Sequence, residues 1–174
     1  MWDFFETVRH RHSVRNYQSD LPVEKEKLHA ILETACSAPS AGDLQAYKIV
    51  VVSNQEKRQS LMNAAHDQHF IAEAPICLVF CAEPSRSERE YGQRGRDLYA
   101  TQDATIAAAY AQLAIVAAGM TSTWIGYFDE DKVKETIQLE NGLIPIAMLS
   151  LGYPAELPEP TTRRRLGEVI SYID

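Results

Sequence analysis

The heptapeptide Arg9-His10-Arg11-His12-Ser13-Val14-Arg15 packs three arginines and two histidines into an otherwise acidic chain. That chain carries 24 Asp and Glu against 17 Lys and Arg, a formal net charge of −7. Guanidinium forks and hydroxyls match the oxygens of a phosphate group, so Arg11 and Ser13 are candidate anion ligands, with His12 between them. A second basic cluster, Arg163-Arg164-Arg165, lies near the other terminus. Each cluster alone reads more readily as a solvated surface, the first as a basic helix end opposing the macrodipole and the second as a tail. Together they could converge on one phosphate monoester. The negative balance meanwhile excludes general nucleic-acid binding, which needs a broad positive surface.

Two further segments have a composition suited to a ligand. Ala38-Pro39-Ser40-Ala41-Gly42-Asp43-Leu44-Gln45-Ala46-Tyr47 combines small residues, which let backbone approach a ligand closely, with the directional donors Ser40 and Gln45. A plain helix-to-strand loop would use the same glycine and serine. In Gly119 to Phe128 a strand ends at Gly126 beside aromatics, which suits backbone running along the edge of a flat ring. Familiar phosphate, zinc and hydrolase motifs are absent: no Walker A, no G-x-G-x-x-G, no H-E-x-x-H and no G-x-S-x-G. His66 and His69 lack companions for a metal shell and read as a solvated helix surface.

The elements that must position these segments alternate without βαβ regularity. Trp2, Phe5 and Val8 predict a short first helix, and Leu28, Ile31, Leu32 and Ala35 a stronger one after Pro22. Strands are predicted at 47–53, 76–82, 122–126 and 144–152, with helices capped by Asn54 and Asp129. The alanine-rich run 99–118 is apolar nearly all round, so it must be buried in a core or against a partner. The charged segment 85–96 reads as a surface excursion or mobile lid, and the proline-rich tail from Pro154 as an extended arm seeking a surface. The fold class is α+β, with helices on a mixed sheet. Cys77 and Cys81 share a strand face and read as core, while an odd cysteine count favours a reducing compartment.

Taken in order, the four segments resemble the nitroreductase family of FMN enzymes. Arg11, Ser13 and Arg15 match its R-x-S-x-R/K pattern, and Pro39 to Tyr47 is similar to its P-S-x-x-N-x-Q-P-W loop. Asp103 through Gly126 resembles its central helix and G-x-x-S-x-W-x-G-like strand, and its basic C-terminal stretch falls on Arg163 and Arg164. The resemblance implies one nitroreductase-like FMN-binding domain over residues 1–174. It also implies a cytoplasmic homodimer with flavin sites at the subunit interface, whose C-terminal extension adds a strand to the partner. The implied activity is reduction of a nitroaromatic, quinone or similar small acceptor by ping-pong hydride transfer from NADH or NADPH.

Residue by residue, the resemblance assigns Arg11, Ser13 and Arg163 or Arg164 to the flavin phosphate, with His12 alongside, and Arg15 to the pyrimidine edge. Ser40 and Gln45 fall on the flavin or ribityl chain, the former offered across the interface, and Gln68 is a further contact. Backbone of Ile125, Gly126 and Tyr127 would line the ring near its reactive nitrogen, with no metal and no side-chain general base. Three departures stand out: Asp43 replaces the usual asparagine, Ala46 and Tyr47 replace proline and tryptophan, and the chain is short for the family. The rival readings are a flavin-binding regulatory or storage protein without turnover, and a colourless dimeric interaction domain.

Overall fold

The computed structural model describes residues 3–159 and 161–173. Helix α1 (Phe4–His10) starts at a capping box in which Asp3 accepts from the Glu6 amide and Glu6 returns the bond. Its predicted apolar face is not a core face: Phe5 is 68% and Val8 45% exposed, and the buried residue is Thr7. Trp2, the third member of that face, lies outside the described residues. Helix α2 (Lys25–Cys36) turns Ile31 and Ala35 inward, and strand β1 (Tyr47–Val52) follows. Asn54 caps α3 (Gln55–Ala64) by accepting from the Lys57 amide, and a single turn, α4 (Phe70–Glu73), precedes β2 (Ile76–Ala82). Sequence periodicity gives no warning of α4, because four residues are too few to show one.

The charged segment expected as an excursion or lid is helical. It forms α5 (Pro84–Arg94), broken at Gly92 with φ 56°, and passes through a π-type turn (Gly95–Tyr99) into α6 (Ala100–Ala117). It packs closely on itself, since a methyl group at Gly95 would overlap the Ser87 carbonyl, and it is tied to the preceding loop where Arg86 Nε donates to Leu44 O. After α6 come β3 (Thr121–Ile125), α7 (Glu130–Ile137) capped by Asp129, and β4 (Ile144–Gly152).

The four strands form one sheet in the order β1-β2-β4-β3, antiparallel throughout. The expected mixed character reduces to one isolated parallel bridge between Ser13 and Ser122. The irregular segment after α1 touches β3 there without extending a ladder: Val14 N donates to Ser122 O at 3.3 Å, and the Thr123 hydroxyl donates to Val14 O.

Every residue of β2 is buried, because helices cover both faces of the sheet. Ile76, Leu78 and Phe80 join Leu149, Leu151, Ala107, Ala111 and Ile115 under α2 and α6. Cys77, Val79 and Cys81 point the other way, among Leu61, Ile71, Val133 and Met148 beneath α3, α4 and α7. Burial pushes both thiols up to about 12.

From Pro154 the chain leaves β4 along the N-terminal segment: Tyr17 bridges Pro154, and Ala155 N donates to Asn16 O at 2.9 Å. Beyond this the tail forms one 3-10 turn (Leu166–Glu168) and no strand among the described residues. Among the described residues, no helix is long and apolar enough to cross a membrane.

Candidate functional site

One group of the expected residues gathers at the β3 edge of the sheet. Arg11 follows α1, its amide bonded to Thr7 O, and the Ser13 bridge pins the next turn onto β3. Partial burial, and then the positive charge of Arg163, lower the pKa of Arg11, so Arg163 lies within electrostatic reach of it. An arginine that loses hydration and feels a second guanidinium is a suitable ligand for a dianionic phosphate. The donor chemistry of the cluster therefore suits FMN. Beside Ser13, the buried Ser122 hydroxyl has no hydrogen-bond partner among the described residues.

Arg163 is held by its own loop, its Nη1 donating to Thr161 Oγ1 at 2.6 Å and to Thr162 O at 3.2 Å. Arg164 turns elsewhere and donates to Glu168, whose backbone oxygen is 2.7 Å from Nη2. His12 is half-buried between Arg11 and Ser13. The Arg15 guanidinium stands 5.8 Å from the centre of the Phe70 ring, a cation–π contact that fixes an otherwise exposed side chain. Beneath it the buried Tyr17 hydroxyl bonds Ser150, and burial drives its pKa up to about 12.

The strand end at Gly126 joins this group. Ile125 is buried in the core under α3 and α7. Gln68 donates to Ala65 O at 2.9 Å and to Tyr127 O at 3.3 Å, tying its loop to the residue after Gly126. Tyr127 is 72% exposed and stacks on His66, with centroids 3.9 Å apart and planes 17° off parallel. His66 and Asp67 both take positive φ, 55° and 58°, to make that turn.

Ser40 and Gln45 lie at the opposite edge, in the loop that leads into β1. The Ser40 hydroxyl accepts from Gln45 N at 3.0 Å, and the Gln45 amide donates to Asp43 O and Oδ1, both at 3.1 Å. Asp43, at the departure from the family's asparagine, thus orients Gln45. Strands β2 and β4 separate the two edges, roughly 14 Å at ordinary strand spacing.

Phe70 and Asp103 escaped the sequence reading as site residues. Phe70 shows no pattern that would separate it from core. Asp103, buried on α6, accepts from the Ala41 and Ala46 amides, and a lone carboxylate opening an apolar helix was its one sequence signal.

The nitroreductase family model matches residues 8–69 and 63–153, and the chain belongs to that family. Among its relatives is the protein named NADH dehydrogenase of Thermus thermophilus, 31% identical over 92% of this chain and 91% of the relative. The FMN reductase (NADPH) of Bacillus subtilis is 27% identical over 87% of this chain and 66% of its own length. A solved NADPH:FMN oxidoreductase from Vibrio harveyi, complexed with NAD+, superposes with TM-score 0.88 at 26% identity, covering 97% of this chain and 76% of that one.

Proposed function

We propose that this chain is an NAD(P)H-dependent oxidoreductase that binds FMN at the β3 edge and reduces an electron-poor small molecule, such as a nitroaromatic or a quinone. The observation that carries the reading is the gathering of Arg11, Ser13 and the Gly126 strand end at one edge of the sheet, with Arg163 within electrostatic reach of the partly desolvated Arg11. Like charges are brought together at a cost that an anion between them would offset. FMN bound there supplies the hydride carrier of a ping-pong cycle between NADH or NADPH and the acceptor.

The chain's own residues bind and tune it. Arg11, Ser13 and Arg163, with His12 beside them, hold the phosphate, while the Glu168 pair keeps Arg164 in a supporting place. Arg15, steadied by Phe70, faces the pyrimidine edge, where its charge favours an anionic reduced ring. Backbone at Ile125, Gly126 and Tyr127, tied down by Gln68, lines the ring.

The loop carrying Ser40 and Gln45 sits too far along the sheet to meet the same ring within one chain. A homodimer that offers the loop to the partner's flavin accounts for it. Two other features suit that assembly: an apolar groove lined by Phe4, Ile31, Tyr110, Leu113 and Ala117, and a tail exposing Leu166, Val169, Tyr172 and Ile173. The tail is long enough to embrace a partner and pair with its sheet. Three free cysteines suit a cytoplasmic setting.

The test is the visible spectrum of the purified protein, followed by gel filtration with added FMN and NAD(P)H oxidation with a quinone or nitroaromatic. Flavin bands that co-elute with a dimer and turn over are expected. A colourless protein that does not retain FMN overturns the reading. Bound FMN without NAD(P)H oxidation makes the protein a flavin carrier instead.

A further inference from the structure

We infer that Asp103 is a positioning residue for flavin binding across the subunit interface: its buried carboxylate clamps both ends of the 40–46 loop and so sets where Ser40 and Gln45 meet the partner's cofactor. This inference rests on the FMN reading above.

The loop does not hold its own shape. Gly42, Asp43 and Gln45 take φ of 58°, 56° and 50°, in a region that side chains of ordinary handedness rarely adopt. Local bonds satisfy part of its backbone: Asp43 N to Ser40 O and Leu44 N to Ala41 O, both 3.1 Å. The Ala41 and Ala46 amides remain, at the two ends, and Ala46 is fully buried. One carboxylate takes both, with Asp103 Oδ1 2.9 Å from Ala41 N and Oδ2 3.2 Å from Ala46 N.

Asp103 is 2% exposed, and no lysine or arginine pairs with it among the described residues. Charge-assisted bonds to fixed amides are short and directional, so the carboxylate works as a two-point anchor. No neutral side chain of the same shape can do this. An asparagine would offer one oxygen and set its own N–H groups against a buried amide donor.

The other side of the loop is gripped by α5. Arg86 Nε donates to Leu44 O, and the Tyr91 ring lies over Gly42 so closely that a methyl group there would strike its hydroxyl. The loop is therefore a prefabricated surface held between α6 and α5, with Gln45 exposed and Ser40 half-buried. A contact prepared in one subunit for a ligand in the other needs such rigidity, because it cannot adjust through its own chain.

The experiment is Asp103→Asn, with FMN affinity, the visible circular dichroism of bound flavin and apo-dimer integrity all measured. The expected result is FMN binding weakened about tenfold and an altered flavin dichroism band, on an intact apo dimer. Asp103→Glu, which keeps the charge but displaces the oxygens, serves the same readouts where the asparagine variant does not fold.

Mixed dimers give the readout that a merely structural role would not move. Pairing an Asp103→Asn chain with an Arg11→Ala chain leaves one site with both defects and one with neither. Half of the sites should then bind FMN as the wild type does, although neither parent homodimer binds tightly. Wild-type affinity and dichroism in Asp103→Asn, or mixed dimers without a tight site, overturn the inference. Failure of the wild-type protein itself to hold FMN overturns the FMN reading, and this inference with it.

Discussion

At the β3 edge, positive charge is concentrated without an acidic partner for Arg11 among the described residues: Arg11 loses hydration and feels the charge of Arg163, an arrangement that an anion would relieve. At the β1 edge the reverse holds. The 40–46 loop has its strained backbone fixed from both sides, by Asp103 beneath and by Arg86 and Tyr91 above. On the proposed reading, one region is completed by its ligand, and the other is complete before any ligand arrives. In a site shared between subunits this division would have a reason. The charged half could settle around a phosphate, whereas a half contributed from across an interface must arrive already shaped.

The largest effect should come from breaking the charged half. Arg11→Ala removes a charge-assisted phosphate contact worth about 2–3 kcal/mol, so FMN affinity should fall about a hundredfold by titration. The same substitution relieves a repulsion in the free protein, so the apo unfolding midpoint should hold or rise slightly. A clear fall in apo stability would mean that Arg11 serves the fold and not an anion.

The prefabricated half should respond in stability as well. Gly42→Ala forces a side chain into φ 58° and pushes the Tyr91 hydroxyl aside, at a cost of about 1–2 kcal/mol by urea denaturation. Adding Tyr91→Phe should recover the steric share alone. Full recovery would mean that the loop is not strained.

Arg164→Ala should change FMN affinity by less than about 0.5 kcal/mol, since this arginine is spent on an exposed pair with Glu168. An effect matching that of Arg11→Ala would place Arg164 on the phosphate and move Arg163 aside.

Acid supplies the smallest effect, again confined to one region. The Tyr153 hydroxyl, 2.7 Å from Glu24, and Lys27 together pull the Glu24 carboxyl down to about 2, where the chain leaves β4 toward the tail. The folded value is depressed, so this stabilisation is present in full above the ordinary 4.5 and drains away as pH falls toward 2. Tyr153→Phe should flatten that part of the pH–stability curve, and an unchanged curve would remove Glu24 from the account.

The same contrast explains what could be read in the residues. Apolar runs such as 76–82 and caps such as Asn54 announced their elements almost to the residue, because burial and capping are local signals. The arginine clusters were visible as composition, but the electrostatic reach of one to the other depends on a tail that runs back along the N-terminal segment, which no spacing encodes. Asp103 was legible only as an interruption of an apolar helix, and its partners sit about sixty positions earlier in the chain. Segment 85–96 looked like a loose excursion because it meets the 40–46 loop at backbone, Arg86 at Leu44 O and Tyr91 at Gly42, and such contacts leave no apolar pattern.

The two central thiols have a practical consequence. A reduced flavin that meets oxygen releases peroxide, and only a thiolate on an accessible sulfur is readily damaged by it. With their pKa values pushed up by burial and no exposed surface, Cys77 and Cys81 offer no accessible thiolate at neutral pH. Cys36, exposed at the end of α2, is left as the oxidisable sulfhydryl. Prolonged turnover in air should therefore mark the protein's outer skin at that one cysteine while its core stays chemically intact.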